Sequence, residues 1–415
     1  MKIMQINKFF FPKGGAEKYF FDLSELLEKK GHQVIPWSTR HFKNFPWDNQ
    51  KDFVSFNDFS KKEGFFKDLK KVFRIFYNPE ALNKLEKILD REEPDLVHCH
   101  NIFKHLSPKF IDLVKKRNIP VVMTLHDYQL FCPNYKFFSQ GKPCYECLKQ
   151  NNFSPCLKKK CVRNSFLPSL VAYLEANWQK KYLKLTEKID AFITPSQFVY
   201  QKAIEAGISE DKLYHLPNFT EKADLSALPE IRAKKNNPYL FYFGRLSQEK
   251  GVDILIKAFL KIAKDYPEWQ LKIAGDGPQH NQLVKLVGKR NNIEFVGSLT
   301  KNTLRDTIAK SRFCVVPSVW PENFPYSILE SFLLKRPVIA SRIGGLPEIV
   351  IDQKTGLLSE AGNIKQLAEK IEWAMKNPQK MRKMGQNSRD YVLLNLNPES
   401  HYRAIKKIYD RIKNN

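Results

Sequence analysis

The chain has 415 residues and a formal net charge of +25, from 69 Lys and Arg against 44 Asp and Glu. Its length allows two to three domains with separate cores, and its hydrophobic share of 42% is typical of a soluble globular protein. Residues 1–7 are too short an apolar run for a secretory signal, and no apolar stretch reaches the roughly 18 residues that span a bilayer. We therefore expect a cytoplasmic protein whose charge favours anionic partners.

The first half alternates short apolar strands with polar loops and amphipathic helices. A strand at 2–6 leads through the glycine-containing loop 13–17 into a helix at 19–30, and Gly31 ends that helix. This alternation predicts parallel α/β sheets. Further strands are predicted at 33–37, 96–100, 121–125 and 191–194.

Aromatic residues stand near basic ones in the first third of the chain. This combination favours contact with an anionic membrane surface, which we expect at the inner face of the cell membrane. A basic chain also suits nucleic acid, but no recognition motif for nucleic acid is present, so that partner is disfavoured. The aromatic residues are Phe9, Phe10, Phe11, Phe65, Phe66, Phe73, Phe76 and Tyr77.

The α/β pattern lapses at 220–238, a polar and charged stretch that we interpret as a linker, and then restarts. We predict an α/β chain with two Rossmann-like, doubly wound domains that face a central cleft, where ligands bind beyond the carboxyl ends of the strands. The second half has predicted strands at 239–243, 270–274, 293–296, 313–316 and 337–340. The predicted domains are 1–222, with a cysteine-rich insertion at about 131–162, then 236–395, then a final helix within 396–415.

Two glutamates in the last third carry the strongest chemical signal. Glu322 lies between Pro321 and Pro325, outside any ordinary helix, and Pro325 suits the start of a helix that contains Glu330. Both carboxylates can then face one cleft, with an anion-attracting helix N-terminus between them. This suits a nucleotide sugar, which has hydroxyls to hold and phosphates to neutralise. The alternative is a solvated loop followed by a helix-surface charge.

Three other loops of the second half follow predicted strands. Arg245 and Lys250 flank one loop and can clamp a diphosphate, with two surface cations as the alternative. Gly275 allows a tight turn in the second loop, which is a weak signal. Gly344 and Gly345 can expose backbone N–H groups to an anion, as Gly14 and Gly15 can in the first half; simple tight turns are the alternative.

His126 ends a predicted strand of the first half. There it can polarise or hydrogen-bond a reacting hydroxyl, or it can simply cap a turn. His98 and His100 raise the same two alternatives, and for His98 we favour the structural one.

Five of the seven cysteines lie in the insertion that follows His126. Because no secretory signal is visible, a disulfide framework is disfavoured. Four thiolates can close a structural zinc site, and reduced thiols packed in a loop are the alternative. The five are Cys132, Cys144, Cys147, Cys156 and Cys161.

Short motifs in this order and spacing span nearly the whole chain, and together they resemble the retaining nucleotide-sugar glycosyltransferases of family 4, which have the GT-B fold. The matching pieces are Gly14-Gly15, His126-Asp127, Pro195-Ser196, Pro217-Asn218, Gly244-Arg245, Glu249-Lys250-Gly251, Gly275-Asp276-Gly277, Glu322 with Glu330, Gly344-Gly345, Pro347-Glu348 and Thr355-Gly356-Leu357.

The resemblance implies roles for several of the matching positions. Arg245 and Lys250 would bind the donor diphosphate, and Glu330 would bind the ribose of the nucleotide. Other positions would contact the transferred sugar, the phosphates or the acceptor. These are Glu322, the N–H groups of Asn323 and Phe324, Gly15, Gly275, Gly344, Gly345 and His126.

The resemblance also implies the chemistry and the partners. A sugar would pass from a nucleotide-diphosphate donor to a glycan or lipid-linked acceptor with retention of anomeric configuration, during synthesis of polysaccharide or another cell-envelope glycan. Cations would neutralise the leaving group, so no cofactor is required for the chemistry. The final helix would return to the first domain.

Two alternatives use the same fold. One is a GT-B enzyme that acts on DNA or by phosphorolysis. DNA binding would show a steep salt dependence, and no pyridoxal-binding lysine is identifiable for a phosphorylase. The other is a non-catalytic partner that binds nucleotide sugars, which the intact Arg245, Lys250, Glu322 and Glu330 argue against.

Overall fold

The computed structural model describes residues 1–59, 61, 63–220 and 238–414. Most of the stretch interpreted as a linker, 220–238, therefore lies outside the described residues. The chain forms two compact units. The first consists of Met1–Phe137, Tyr145–Phe219 and Pro398–Asn415, and the second of Phe138–Cys144 and Thr220–Asn397.

The strands are short, and most are continuous apolar runs. In chain order they are β1 (Lys2–Ile6), β2 (Gln33–Trp37), β3 (Thr39–Arg40), β4 (Val54–Ser55), β5 (Leu96–Cys99), β6 (Val121–Thr124), β7 (Phe138–Ser139), β8 (Lys142–Pro143), β9 (Ala191–Thr194), β10 (Leu213–His215), β11 (Tyr239–Phe243), β12 (Gln270–Ala274), β13 (Ile293–Gly297), β14 (Phe313–Val316), β15 (Val338–Ser341) and β16 (Gly356–Ser359).

The helices alternate with these strands. In chain order they are α1 (Gly15–Lys29), α2 (Phe65–Phe76), α3 (Pro79–Glu92), α4 (Phe110–Lys116), α5 (Glu146–Lys149), α6 (Ser154–Lys158), α7 (Phe166–Asn177), α8 (Leu185–Lys188), α9 (Gln197–Glu205), α10 (Val252–Ile262), α11 (His280–Val287), α12 (Lys301–Lys310), α13 (Tyr326–Leu333), α14 (Leu346–Ile349), α15 (Ile364–Lys376), α16 (Pro378–Asn395) and α17 (Pro398–Lys413).

Each unit is built on one six-stranded parallel sheet. The strand order is β10-β9-β6-β5-β1-β2 in the first unit and β13-β12-β11-β14-β15-β16 in the second. The central strands are buried on both faces, which explains their unbroken apolar sequences. The two doubly wound α/β sheets confirm the predicted fold class, and every predicted strand is present to within about one residue.

The start of α1 differs from the prediction. The glycine pair was expected to lie in a loop before a helix at 19–30, but Gly15 is already the first helical residue. Gly14 is extended, with φ of −169°, and precedes the helix without a side-chain cap. Ala16 and Glu17 therefore form the first turn, and the first-half loop is shorter than the sequence indicated.

Helix α17 belongs to the first unit and contributes to its polar core. The hydroxyl of Tyr409 lies 2.7 Å from Nδ1 of His98, and Nε2 of His401 lies 2.9 Å from the hydroxyl of Tyr19. All four side chains are buried. Since buried polar groups need partners, these hydrogen bonds fix the position of α17 on its unit. His98 therefore has the structural role favoured from sequence.

Within the described ranges, none of the helices is both long enough and apolar enough to cross a bilayer.

Four buried histidines of the first unit, together with the half-buried His126, predict acid sensitivity. Burial lowers the pKa of His98, His105, His126 and His401 to about 3, and that of His100 also lies well below its usual value. In the unfolded chain these histidines take up a proton near their ordinary pKa of about 6.5. Their contribution to stability is therefore complete above that pH and is lost as pH falls toward 3.

We expect the free energy of unfolding to fall by about 3 kcal/mol or more between pH 7 and pH 5, measured by urea denaturation. Glu175 partly opposes this trend because burial raises its pKa to about 7. His401→Gln should flatten the pH dependence, because it removes one of these groups. A slope equal to that of wild type would contradict the assignment.

Candidate functional site

Glu322 is the centre of the polar site in the second unit. It lies in the loop between β14 and α13 and is almost fully buried. Its Oε1 accepts hydrogen bonds from Nζ of Lys250 at 2.7 Å and from Oγ of Ser318 at 2.6 Å. A buried carboxylate needs such partners to remain charged. The structure therefore holds this carboxylate in one orientation.

Lys250 reaches Glu322 from the loop that follows β11. It ends a short 3₁₀ turn, Gln248–Lys250, and its ammonium also lies 5.3 Å from the centroid of the Trp320 ring. Arg245, on the same loop, is exposed, and its carbonyl accepts a hydrogen bond from the buried hydroxyl of Tyr242. One of the two predicted phosphate-binding cations is thus held against a carboxylate, and the other extends into solvent.

Two glycines allow the loops around Glu322 to pack backbone to backbone. Gly251 has a φ of 64°, and an added Cβ would lie 2.1 Å from the carbonyl oxygen of Pro317. Gly344 has a φ of 58°, and an added Cβ would lie 2.4 Å from the carbonyl oxygen of Glu322. Any other residue at either position would displace the segment that carries Glu322.

Two further glycines of the predicted site, Gly275 and Gly345, also contact neighbouring loops. The N–H of Gly345 donates to the carbonyl of Glu322 at 2.8 Å, so in this structure it positions the loop instead of facing an anion. Gly275 follows β12, and an added Cβ would lie 1.9 Å from the carbonyl oxygen of Gly244. The close approach gives a physical reason for glycine at position 275, whereas the Gly345 contact uses only a backbone N–H.

Glu330 lies on the second turn of α13, as the sequence predicted. Pro325 precedes the first helical residue, Tyr326, with φ of −75° and ψ of 125°. Glu330 is half-buried, whereas Asn323 and Phe324 on the preceding loop are buried. Glu322, Asn323 and Phe324 thus lie on the loop that leads into α13, and Glu330 lies on the helix itself.

His126 belongs to a polar network in the first unit. Its Nε2 lies 3.0 Å from Nδ1 of His100, and Nε2 of His100 lies 2.7 Å from the side-chain oxygen of Gln5. Because that oxygen accepts, His100 carries its proton on Nε2, and its Nδ1 accepts the proton of His126 Nε2. This leaves Nδ1 of His126 as a hydrogen-bond acceptor. The pKa of about 3 keeps the ring neutral at physiological pH.

Sequence reasoning missed the charged groups near His126. Lys8 and Lys104 both lower the pKa of Asp127 and of Glu175, although burial is the larger influence and raises both. Glu175 is fully buried on α7, and its Oε1 accepts a hydrogen bond from Gln179. The signal available in the sequence was a single acidic residue inside the apolar segment 166–177.

Gly15 lies at the exposed N-terminus of α1, beyond the carboxyl end of β1. Glu17 in the first turn of that helix is buried, and its Oε1 lies 3.5 Å from Nδ2 of Asn7. Gly15 therefore leaves the N-terminus of α1 accessible to solvent, and the buried carboxylate of Glu17 lies within the first turn.

The cysteines of the insertion lie close together in the first unit, except for Cys144, which belongs to the second. A hydrogen bond with Cys161 and burial raise the pKa of Cys156, and Cys132 and Cys147 raise it further. Even so, across the described residues no three His, Cys, Asp or Glu side chains are placed to hold a metal ion. The zinc site stays a prediction, which metal analysis of the purified protein would decide.

Two parallel sheets, each with polar loops beyond the carboxyl ends of its strands, define a pair of Rossmann-like units suited to binding nucleotides. The chain belongs to Glycosyltransferase Family 4, which matches residues 13–223, and the family of glycosyl transferases group 1 matches residues 226–391. It is therefore a glycosyltransferase.

Relatives from several organisms agree with this assignment. An uncharacterised glycosyltransferase of Methanocaldococcus jannaschii is 25% identical, over 83% of both chains. A 42.6 kDa protein from the cps region of Klebsiella pneumoniae is 25% identical, over 84% of this chain and 87% of that one. A phosphatidylinositol N-acetylglucosaminyltransferase chain of Arabidopsis thaliana is 21% identical, over 99% of this chain and 78% of its own length.

Solved structures show that the fold is GT-B. A sucrose-phosphate synthase from Thermosynechococcus elongatus matches with a TM-score of 0.72 at 20% identity, covering 99% of this chain and 98% of that one. HepE from Anabaena in complex with UDP matches with a TM-score of 0.65 at 20% identity, covering 99% and 100%.

We expect Lys250→Met to lower the free energy of unfolding by about 1–3 kcal/mol, because it leaves the Glu322 carboxylate buried without its cation. Partial exposure of Lys250 keeps the loss below that of a fully buried ion pair. Combining it with Glu322→Gln should recover part of the loss, since the remaining amide is neutral. Urea denaturation of the single and double variants measures both effects.

Lys257→Met is the matched control in the same unit, because Lys257 forms an exposed ion pair with Asp253 on α10. That pair should contribute no more than about 0.5 kcal/mol. Equal losses in Lys250→Met and Lys257→Met would show that the ion pair to Glu322 contributes little.

Proposed function

We propose that the protein transfers a sugar from a nucleotide-diphosphate donor to an acceptor hydroxyl with retention of anomeric configuration. The observation that carries this proposal is the buried Glu322 carboxylate, held by Lys250 and Ser318, with exposed Arg245 on the same loop as Lys250. A fixed carboxylate suits sugar hydroxyls, and the two cations suit a diphosphate.

Each donor contact has a proposed residue. Arg245 binds the diphosphate through its exposed guanidinium, and Lys250 adds positive charge while it stays hydrogen-bonded to Glu322. Glu330, half-buried on α13, accepts hydrogen bonds from the ribose hydroxyls. The N–H groups of Asn323 and Phe324 contact the transferred sugar, but Pro325 has no N–H to offer.

The chemical step needs no protein nucleophile. The bond from the anomeric carbon to the leaving phosphate oxygen breaks, and the acceptor oxygen bonds to the same face of that carbon. The acceptor proton passes to the leaving phosphate oxygen. Arg245 and Lys250 stabilise the charge that develops on the diphosphate, which is a task that fixed cations perform well. Glu322 is then a positioning residue.

His126 has a proposed hydrogen-bonding role. Its ring is neutral at physiological pH, and its Nδ1 is an acceptor as a result of the network through His100 to Gln5. A neutral ring with so low a pKa is a poor general base but a good acceptor for a hydroxyl of the sugar. We therefore assign it to orientation, not to proton abstraction.

The acceptor is proposed to be a growing polysaccharide, a glycolipid or another cell-envelope glycan. A relative from the cps region of Klebsiella pneumoniae supports this class of product. We further propose that the protein works in the cytoplasm, peripheral to the inner face of the membrane, where lipid-linked acceptors reside. The net charge of +25 favours that anionic surface.

A thermal-shift scan against UDP-, GDP-, ADP-, CDP- and dTDP-sugars tests donor binding. At a ligand concentration about a hundred times the dissociation constant, binding adds roughly 2.7 kcal/mol, enough to raise Tm by a few degrees. We expect one nucleotide series to give this shift. Glu330→Ala should abolish it, whereas Glu369→Ala, which removes an exposed carboxylate on α15, should leave it unchanged.

A normal shift in Glu330→Ala would remove that residue from the donor site. If no nucleotide series shifts Tm, the donor proposal fails, and salt-sensitive DNA binding becomes the next measurement. Donor binding without nucleotide release in the presence of any acceptor would favour a non-catalytic partner.

The mechanism predicts the behaviour of Glu322→Gln. Because the amide keeps the shape but loses the charge, we expect kcat/KM to fall by about tenfold to a thousandfold, with the product anomer unchanged. Proton NMR of the first product gives the anomer, and intact-protein mass spectrometry seeks a glycosylated enzyme. A covalent sugar on wild type that disappears in Glu322→Gln would instead make Glu322 the nucleophile.

A further inference from the structure

Helix α2 of the first unit turns its apolar side toward solvent. Phe65, Leu69, Phe73 and Tyr77, spaced four residues apart, form one stripe with exposures of 76%, 56%, 58% and 43%. Phe66 beside the stripe is 84% exposed. Residues at this spacing share one helix face, and a soluble monomer rarely leaves such a row uncovered.

The inner side of α2 is correspondingly unusual. Lys71 points inward and is buried, and its ammonium forms ion pairs with Glu63 at 2.9 Å and with Asp68 at 3.5 Å. It also donates to the carbonyls of Asp58 and Lys61. Burying a lysine is costly without such partners. Several polar groups thus contact the buried Lys71 ammonium, in an arrangement that leaves Phe65 and Phe66 exposed to solvent.

A second apolar row lies on the neighbouring helix. Helix α7 packs against α2 and exposes Phe166, Leu167 and Leu174. The Phe76 ring of α2 lies edge-on to Trp178 just after α7, with centroids 5.6 Å apart. The two exposed apolar rows therefore lie on neighbouring helices that pack against each other.

The charges around these rows are mainly positive. Lys67 and Lys70 on α2 are exposed, and so are Lys181 and Tyr182 after α7, whereas the ammonium of Lys180 donates to Asn151. Aromatic and aliphatic side chains surrounded by lysines match the boundary between acyl chains and anionic headgroups. A second copy of this chain fits less well, because each copy carries a net charge of +25.

We propose that α2 and α7 form a docking surface for an anionic lipid bilayer, with Phe65, Phe66 and Leu69 entering the interface and the lysines contacting headgroups. The surface rests on the proposed membrane location and is independent of the transfer reaction. This surface would hold the enzyme beside a lipid-linked acceptor.

Co-sedimentation of the full chain with vesicles tests the proposal. We expect binding to vesicles that contain phosphatidylglycerol and much weaker binding to phosphatidylcholine alone. The double variant Phe65→Ser and Phe66→Ser should reduce the apparent affinity by about tenfold or more. The matched control is Phe42→Ser with Leu394→Ser, two exposed apolar residues elsewhere, which should bind as wild type does.

The charged residues are tested in the same way. Lys67→Gln with Lys70→Gln should lose about fivefold or more on the anionic vesicles, because each lysine near such a surface contributes to binding. Lys285→Gln with Lys289→Gln removes the same charge from exposed positions of the second unit and serves as the control.

Three outcomes would overturn the proposal: no vesicle binding, equal losses in test and control variants, or self-association of wild type that only the α2 variants abolish. The last would assign the face to a second copy. Nucleotide-sugar binding is measured on the same samples by thermal shift. Loss of vesicle binding with intact donor binding therefore separates failure of this surface from failure of the proposed function.

Discussion

The buried carboxylate of Glu322 links two loops of the second unit. Lys250 and Ser318 both donate to its Oε1, and these contacts offset the cost of burying it. Those partners come from two segments, the loop after β11 and the loop after β14, so both must approach closely. The backbone permits the approach because Gly251 lies against Pro317 and Gly344 lies against Glu322. The close packing at the two glycines and the ion pair between Lys250 and Glu322 therefore depend on each other.

The first unit also contains a polar network, and its members are neutral side chains. His126, His100 and Gln5 form a chain of hydrogen bonds at the carboxyl ends of β6, β5 and β1. Burial keeps the rings uncharged, which lets a single proton arrangement persist and leaves an acceptor nitrogen on His126. The same burial couples the network to stability, since acid protonates the unfolded histidines first. The acceptor nitrogen on His126 and the expected sensitivity to acid thus have one cause.

Local patterns were sufficient to predict the sheets and several site positions. Unbroken apolar runs are typical of parallel strands buried on both faces, and Pro325 marked the start of the helix that carries Glu330. The partners of Glu322 could not be predicted, because Lys250 is 72 residues away in sequence. The glycine pair at Gly344 and Gly345 was expected to face an anion. Its packing against the Glu322 segment depends on a contact between loops that periodicity cannot reveal.

The usual separation of apolar interior and charged surface is reversed at Glu322 and on helix α2. The Glu322 carboxylate is buried, and its contacts with Lys250 and Ser318 require close backbone packing at Gly251 and Gly344. Helix α2 buries Lys71 with its own set of partners and exposes Phe65 and Phe66. Folding alone favours neither arrangement, because apolar burial and charge hydration would each be better served by the opposite placement. Departures of this kind, compensated locally by named contacts, are expected where a surface or loop serves a ligand instead of the core. On that argument the site around Glu322 and the face of α2 have the same physical origin, although one would meet a sugar and the other a lipid surface.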